Sequence, residues 1–216
     1  MGIARVQLPC RVIRFLRRFI QRDRIQETDF RGLDNARRCA AIKVPATWER
    51  FTSMTTSSLS RFIEAQADPH SGFEVALKEL QAGRKTSHWI WYIFPQLAEL
   101  GRSSTAKFYG LSGLKETGDY LRHSVLGSRI EIATAVVREK LEQSITLNEL
   151  MGSAVDSAKL TSSLTLFEAA LNRFNENDRP VDYAAFSANV SAVLRIAEQQ
   201  GFPRCAFTLA EMKASP

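Results

Sequence analysis

"LGSRIEIATAVVREKLEQ", residues Leu126–Gln143, decides the fold class of this chain. Leu126, Ile130, Ala133, Val137 and Leu141 recur at spacings of three and four, the period of one face of an α-helix. A half-buried strand would alternate with period two, and no segment of the chain does so for long enough to require a sheet.

The same reading extends in both directions from that helix. Upstream, Ser57 or Ser58 caps a helix in which Leu59, Phe62 and Ile63 share a face, and "ADPH" breaks it. Ser71 caps the next, with Phe73, Leu77 and Leu80 as the buried stripe and Gly83 as a left-handed stop. "SSTAKFYGL" reads as a short helix capped by Ser103 or Ser104, and "ETGDYLRH" as another. Downstream, "TLNELMG" is a brief helical turn. Two long helices, about Val155–Asn175 and Tyr183–Gln200, flank the polar "NENDRP" loop, and Gly201 and Pro203 end the second. The expected fold is all-α, a compact multi-helix array with short connections.

Composition narrows the function classes. With 216 residues, 44% of them hydrophobic, the chain can bury a sizeable core. No apolar run approaches the ~18–20 residues that span a bilayer. Cys10, Cys39 and Cys205 are odd in number and lack CxxC-type spacing, which argues against a disulfide framework or a zinc site and for a reducing cytoplasm. No metal and no cofactor are expected, because the three histidines form no metal-binding spacing.

The basic charge is confined to one end. Residues 1–53 hold 12 basic and 5 acidic residues, net +7; the remaining 17 basic and 18 acidic residues give 54–216 a net charge of −1. A basic N-terminal extension, 1–53, therefore precedes a helical domain, 54–216. Its "RVIRFLRRFIQR", residues 11–22, is amphipathic and acid-poor, as in membrane-surface helices and presequences. Translation starting at Met54 is the leading reading of this extension, a disordered or partner-binding arm the second, and a targeting segment the third. The near-neutral 54–216 has no intrinsic electrostatic affinity for nucleic acid.

Three polar constellations stand out in the helical part. "GRKTSHWIWYIFPQ", Gly83–Gln96, sets Arg84, Lys85 and His88 beside Trp89, Trp91, Tyr92 and Phe94. Trp89, Ile90, Ile93 and Phe94 read as core, with Pro95 closing a short helix. Trp91 is a candidate face for a ring or cation, Arg84 and Lys85 for an anion, and His88 for a general base. "GRSSTAKFYG", residues 101–110, places hydroxyls and Lys107 near a helix N-terminus, where an anion can meet free N–H groups; Ser103 or Ser104 as a plain N-cap is the simpler reading. In "DSAKLTSSLTLF", Asp156, Lys159 and Ser163 share one helix face, either lining a pocket opposite His88 or forming an ordinary surface pair.

"DPHSGFEVALKELQAGRKTSHWIWYIFPQLAELGRSSTAKFYGL", "YLRHSVLGSRI" and "DSAKLTSSLTLF" together resemble a bacterial family of domains of unknown function, some members of which are labelled calpastatin. The resemblance runs from about Ser57 to Phe174 and is weaker beyond. It implies a small all-helical fold and brings no activity. Calpain inhibition is unsuited to this chain, because true inhibitor segments are largely disordered and this one has the apolar content of a packed domain.

The functional expectation is a site for a small anionic, nucleotide-like ligand built from Arg84, Lys85, Trp91, Ser103, Lys107, Asp156, Lys159 and Ser163, with His88 as the catalytic candidate and the reaction open. The competing expectation is a protein-interaction module that docks a partner through exposed aromatics.

Overall fold

The computed structural model describes residues 59–174 and 183–214. The N-terminal extension, the caps expected at Ser57 and Ser58, and the "NENDRP" loop lie outside the described residues. The elements are α1 (59–67), α2 (Phe73–Gln81), α3 (Ile90–Ile93), a 3-10 turn (Ala98–Leu100), α4 (Ser104–Phe108), α5 (Leu114–Arg122), α6 (Ser124–Glu142), α7 (Leu147–Met151), α8 (Ala154–Leu171), α9 (Tyr183–Gln199) and α10 (Ala206–Ala214). Among the described residues the only β-type pairing is one isolated bridge between Leu97 and Leu111. The fold is all-α, and no described helix is long and apolar enough to cross a membrane.

α8 is the axis of the array. It packs against α3, α5, α7, α9 and α10, while α6 packs against α2, α3, α5, α7 and α9. Every residue from Leu160 to Phe167 is buried, so this helix has no solvent face in its middle. Its buried hydroxyls fit there because Thr161 and Thr165 donate to the carbonyls one turn back, Ser157 and Thr161, at 3.0 and 2.7 Å. Leu80, Trp89, Phe94, Tyr120, Leu126, Ile130, Leu160, Leu164 and Phe167 are among the fully buried side chains.

Local chemistry shifts several helix ends from their expected places. α6 begins at Ser124 because the His123 imidazole caps it, accepting from the backbone N–H of Val125 and Leu126 at 3.3 and 3.4 Å. Burial holds the His123 pKa below its ordinary value, which keeps the ring neutral and able to accept. The cap expected at Ser71 is absent. Gly72 is the N-cap of α2 and makes no side-chain bond, and the preceding turn is held by Asp68, whose carboxylate accepts from His70 and Ser71 N–H at 2.7 and 2.8 Å. α10 is a further helix beyond Gly201 and Pro203, where the sequence reading ends.

Candidate functional site

The aromatic stretch is pinned from behind by one carboxylate. Glu79, in the last turn of α2, accepts from Thr86 N–H (2.8 Å), the Thr86 hydroxyl (2.7 Å), Ser87 N–H (3.1 Å) and Trp89 Nε1 (2.7 Å). Burial raises the Glu79 pKa, but the donors at Thr86, Ser87 and Trp89 outweigh it and bring it down to about 2. The loop between Gly83 and Trp89 is thereby folded onto the end of α2. Gly83 begins it in the left-handed conformation at φ 81°.

This loop carries Lys85 inward. Its backbone N–H donates to Leu150 O at 2.7 Å, fixing the loop across the end of α7. At that crossing sits Gly152, with φ 75° and no room for a side chain: a Cβ would come within 2.9 Å of Lys85 O. Ser153 then caps α8 by accepting from Asp156 N–H at 3.1 Å, which places Asp156 in the first helical turn. A carboxylate is favoured at that end of the helix dipole.

Asp156 is clamped by two ammonium groups, one per oxygen. Lys85 Nζ lies 2.7 Å from Oδ2 and Lys159 Nζ 2.9 Å from Oδ1. Lys85 also donates to Ser87 O at 2.6 Å, and its side chain is only 7% exposed, against 23% for Lys159. Burial raises the Asp156 pKa; the hydrogen bonds and charge of Lys159 and Lys85 outweigh it and hold the carboxyl below its usual range. The centre keeps a net positive charge. Each ammonium also faces an indole: Lys85 lies 5.3 Å from the Trp89 ring and Lys159 4.8 Å from the Trp91 ring.

The other predicted residues are not gathered there. Arg84 and His88 are exposed, and no described hydrogen bond or ion pair involves either side chain, so His88 has no described partner of the kind a general base needs. Ser103 is the plain N-cap of α4, accepting from Ala106 N–H at 3.1 Å, and Lys107 is exposed on that five-residue helix. Ser163 is fully buried one turn beyond Lys159, and its hydroxyl has no described hydrogen-bond partner. Ser87 Oγ is likewise buried without one. Trp89, Tyr92 and Phe94 are core residues, and the Tyr92 hydroxyl donates to Ser71 O at 2.8 Å. The sequence reading missed Glu79, which sits seven to ten residues from the groups it binds and belongs to no motif.

The structure thus brings together two ammonium groups and one carboxylate, each ammonium also against an indole. It offers no free ring face for stacking at the ammonium-covered sides of Trp89 and Trp91. Among the described residues no group of three or more His, Cys, Asp or Glu is placed to hold a metal ion.

Comparison with known proteins places this geometry in a family without assigning it a task. The family described as "Protein of unknown function (DUF1810)" matches residues 56–184. A crystallographically determined conserved hypothetical protein of Mycobacterium tuberculosis is similar at 36% identity and a TM-score of 0.57, covering 71% of this chain and 95% of that one. No curated protein matches.

Proposed function

We propose that this chain, which belongs to the DUF1810 family of proteins of unknown function, is a binding domain for a compact anion centred on Lys85, Asp156 and Lys159. The observation that supports this most is the single carboxylate shared by two ammoniums at 2.7 and 2.9 Å, an arrangement with one positive charge in excess. Lys159 is the more exposed of the two and takes the incoming charge. The two buried hydroxyls without described partners, Ser87 and Ser163, belong to the same loop and the same helix stripe, where an anion or its water would satisfy them.

The ligand is a phosphate- or carboxylate-bearing molecule recognised by charge rather than by base stacking, since an ammonium covers a face of each indole. This narrows the nucleotide-like expectation to its anionic part. The protein-docking alternative would rest on the half-buried Trp91 and the exposed Phe108, because Tyr92 is buried along with the expected core residues Trp89 and Phe94.

Thermal unfolding of the full chain against inorganic phosphate and small organic phosphates tests the reading. A ligand at about 100 times its dissociation constant adds about 2.7 kcal/mol of stability. The expected result is a midpoint shift that Lys159→Ala abolishes. A shift of equal size in Lys159→Ala, or none with any of these anions, removes the reading.

A further inference from the structure

The start of α8 is apolar on its exposed side, where a helix start is ordinarily polar. Ala154, Val155 and Ala158 all reach solvent, and Val155, at 65%, is the most exposed large hydrophobic side chain among the described residues. First helical turns favour hydroxyls and carboxylates, and a β-branched side chain there gives up rotamer freedom without gaining packing. Helix propensity accounts for the two alanines. It does not account for the valine. Nor does Val155 stand alone, since residues 154 and 158 are four apart and 155 and 158 three apart, which makes them neighbours on the helix surface.

This apolar patch borders the cationic centre. Val155 and Lys159 are four apart, so their Cβ atoms lie about 5–6 Å from each other. Helical side chains lean toward the N-terminus of their helix. Lys159 does so: its Nζ lies 2.9 Å from Asp156 Oδ1, in the first turn, and 4.8 Å from the Trp91 ring. Lys85 Nζ holds the other oxygen of the same carboxylate at 2.7 Å, so the group carries one positive charge in excess. The more exposed ammonium of the pair therefore stands beside the exposed valine.

We propose that the anion taken at this centre carries a short apolar chain, which lies along Ala154, Val155 and Ala158 while its charge meets Lys159. This rests on the anion-binding reading of the Lys85 centre and adds a chemical class to it: an alkyl phosphate or aliphatic carboxylate rather than a free inorganic ion. The match is of excess positive charge at one end and apolar surface at the other. The patch also sets the length of the chain. From residue 154 to residue 158 the helix rises roughly 6 Å, which about four carbons cover.

Isothermal titration calorimetry of the full chain with methyl, n-butyl and n-hexyl phosphate tests this, because the three share one charge and differ in chain length. A fully buried methylene tightens binding about fourfold, and one covered on a single side about twofold. Butyl phosphate has three methylenes more than methyl phosphate and should bind about eightfold tighter. Hexyl phosphate should stay within about twofold of butyl phosphate, because the patch has ended. Val155→Ser, at an exposed position, should bring the butyl-to-methyl ratio to within about twofold of unity. Lys159→Ala should weaken both esters about tenfold or more, as loss of a charged hydrogen-bond donor does. Equal binding of methyl and butyl phosphate, a butyl preference that survives Val155→Ser, or an affinity that keeps climbing to hexyl phosphate would each overturn the apolar chain and leave the anion reading standing. Binding of neither ester, or undiminished binding of both by Lys159→Ala, would remove the anion reading and this proposal with it.

Discussion

Glu79→Gln tests how the whole candidate site is supported. The amide can keep its oxygen toward Thr86 N–H, Ser87 N–H and Trp89 Nε1, and can turn its NH₂ toward the Thr86 hydroxyl, which is able to accept. The substitution therefore removes the charge and spares the shape. The native carboxyl falls from an ordinary 4.5 to about 2, equivalent to ~3 kcal/mol if undiminished. The carboxylate is only partly buried, so solvent screening reduces this to about 1–2 kcal/mol.

The sign of the pH dependence follows from a depressed folded-state pKa. Glu79 stabilises the fold fully above the ordinary 4.5, and that contribution is lost as pH falls from there through about 2. Urea unfolding followed by far-ultraviolet circular dichroism should show Glu79→Gln to be about 1–2 kcal/mol less stable at pH 7. At pH 3 the gap should shrink to less than half of that. A variant within about 0.3 kcal/mol of the native chain at pH 7, or a gap unchanged between the two pH values, would refute a charged Glu79 as the clasp of the loop.

Four further outcomes follow from the same geometry. Asp156→Asn strands the nearly buried Lys85 and should cost ~2–3 kcal/mol, whereas Lys159→Ala, at a more exposed position, should cost less than about 1 kcal/mol; equal losses in urea unfolding would deny the asymmetry. Gly152→Ala forces a left-handed alanine into contact with Lys85 O and should cost ~1–3 kcal/mol, a loss that would not occur if the loop ran elsewhere. Ser163→Ala removes a buried hydroxyl with no described partner and should be neutral or stabilising by denaturant midpoint; a loss above about 1 kcal/mol would reveal a partner in the free protein. His123→Ala removes the α6 cap and should cost ~1 kcal/mol at neutral pH. The His123 pKa is depressed in the fold, so the native cap's contribution, and with it the gap, should decline as pH falls below the ordinary histidine value.

The helices were legible in the sequence where burial follows a stripe. Leu126, Ile130, Ala133, Val137 and Leu141 are all buried on α6, as their spacing requires. The ends were less legible, because a cap is chosen by whichever acceptor the turn brings into range. At α6 that acceptor is an imidazole; before α2 it is Asp68, three residues from Ser71. α8 was read as a helix with one polar face, yet its middle is buried all round, and the i−4 hydroxyl bonds of Thr161 and Thr165 are what make "TSSLT" compatible with that position.

The candidate site shows a different limit. The sequence put Asp156 and Lys159 on one helix and Lys85 beside two tryptophans, and so supplied all three ionic groups of the centre; it did not supply Glu79, the carboxylate that holds the loop in place. What it did not supply was the direction in which the tryptophans face. An aromatic beside a cation in sequence reads equally well as two groups offered to a ligand or as two groups satisfying one another. Here Lys85 lies against Trp89 and Lys159 against Trp91, and both share Asp156. Pairing of this kind occupies one face of each ring, which is why the proposed reading takes charge as the means of recognition. It also makes the anion's competitor explicit: any ligand at Lys159 has to compete with Asp156, so affinity should rise when Asp156 is protonated, provided the ligand stays ionised. Asp156→Asn, which removes the competing charge at every pH, should therefore bind sulfate more tightly than the native chain at pH 7, and an unchanged affinity would show that the two lysines meet their ligand elsewhere.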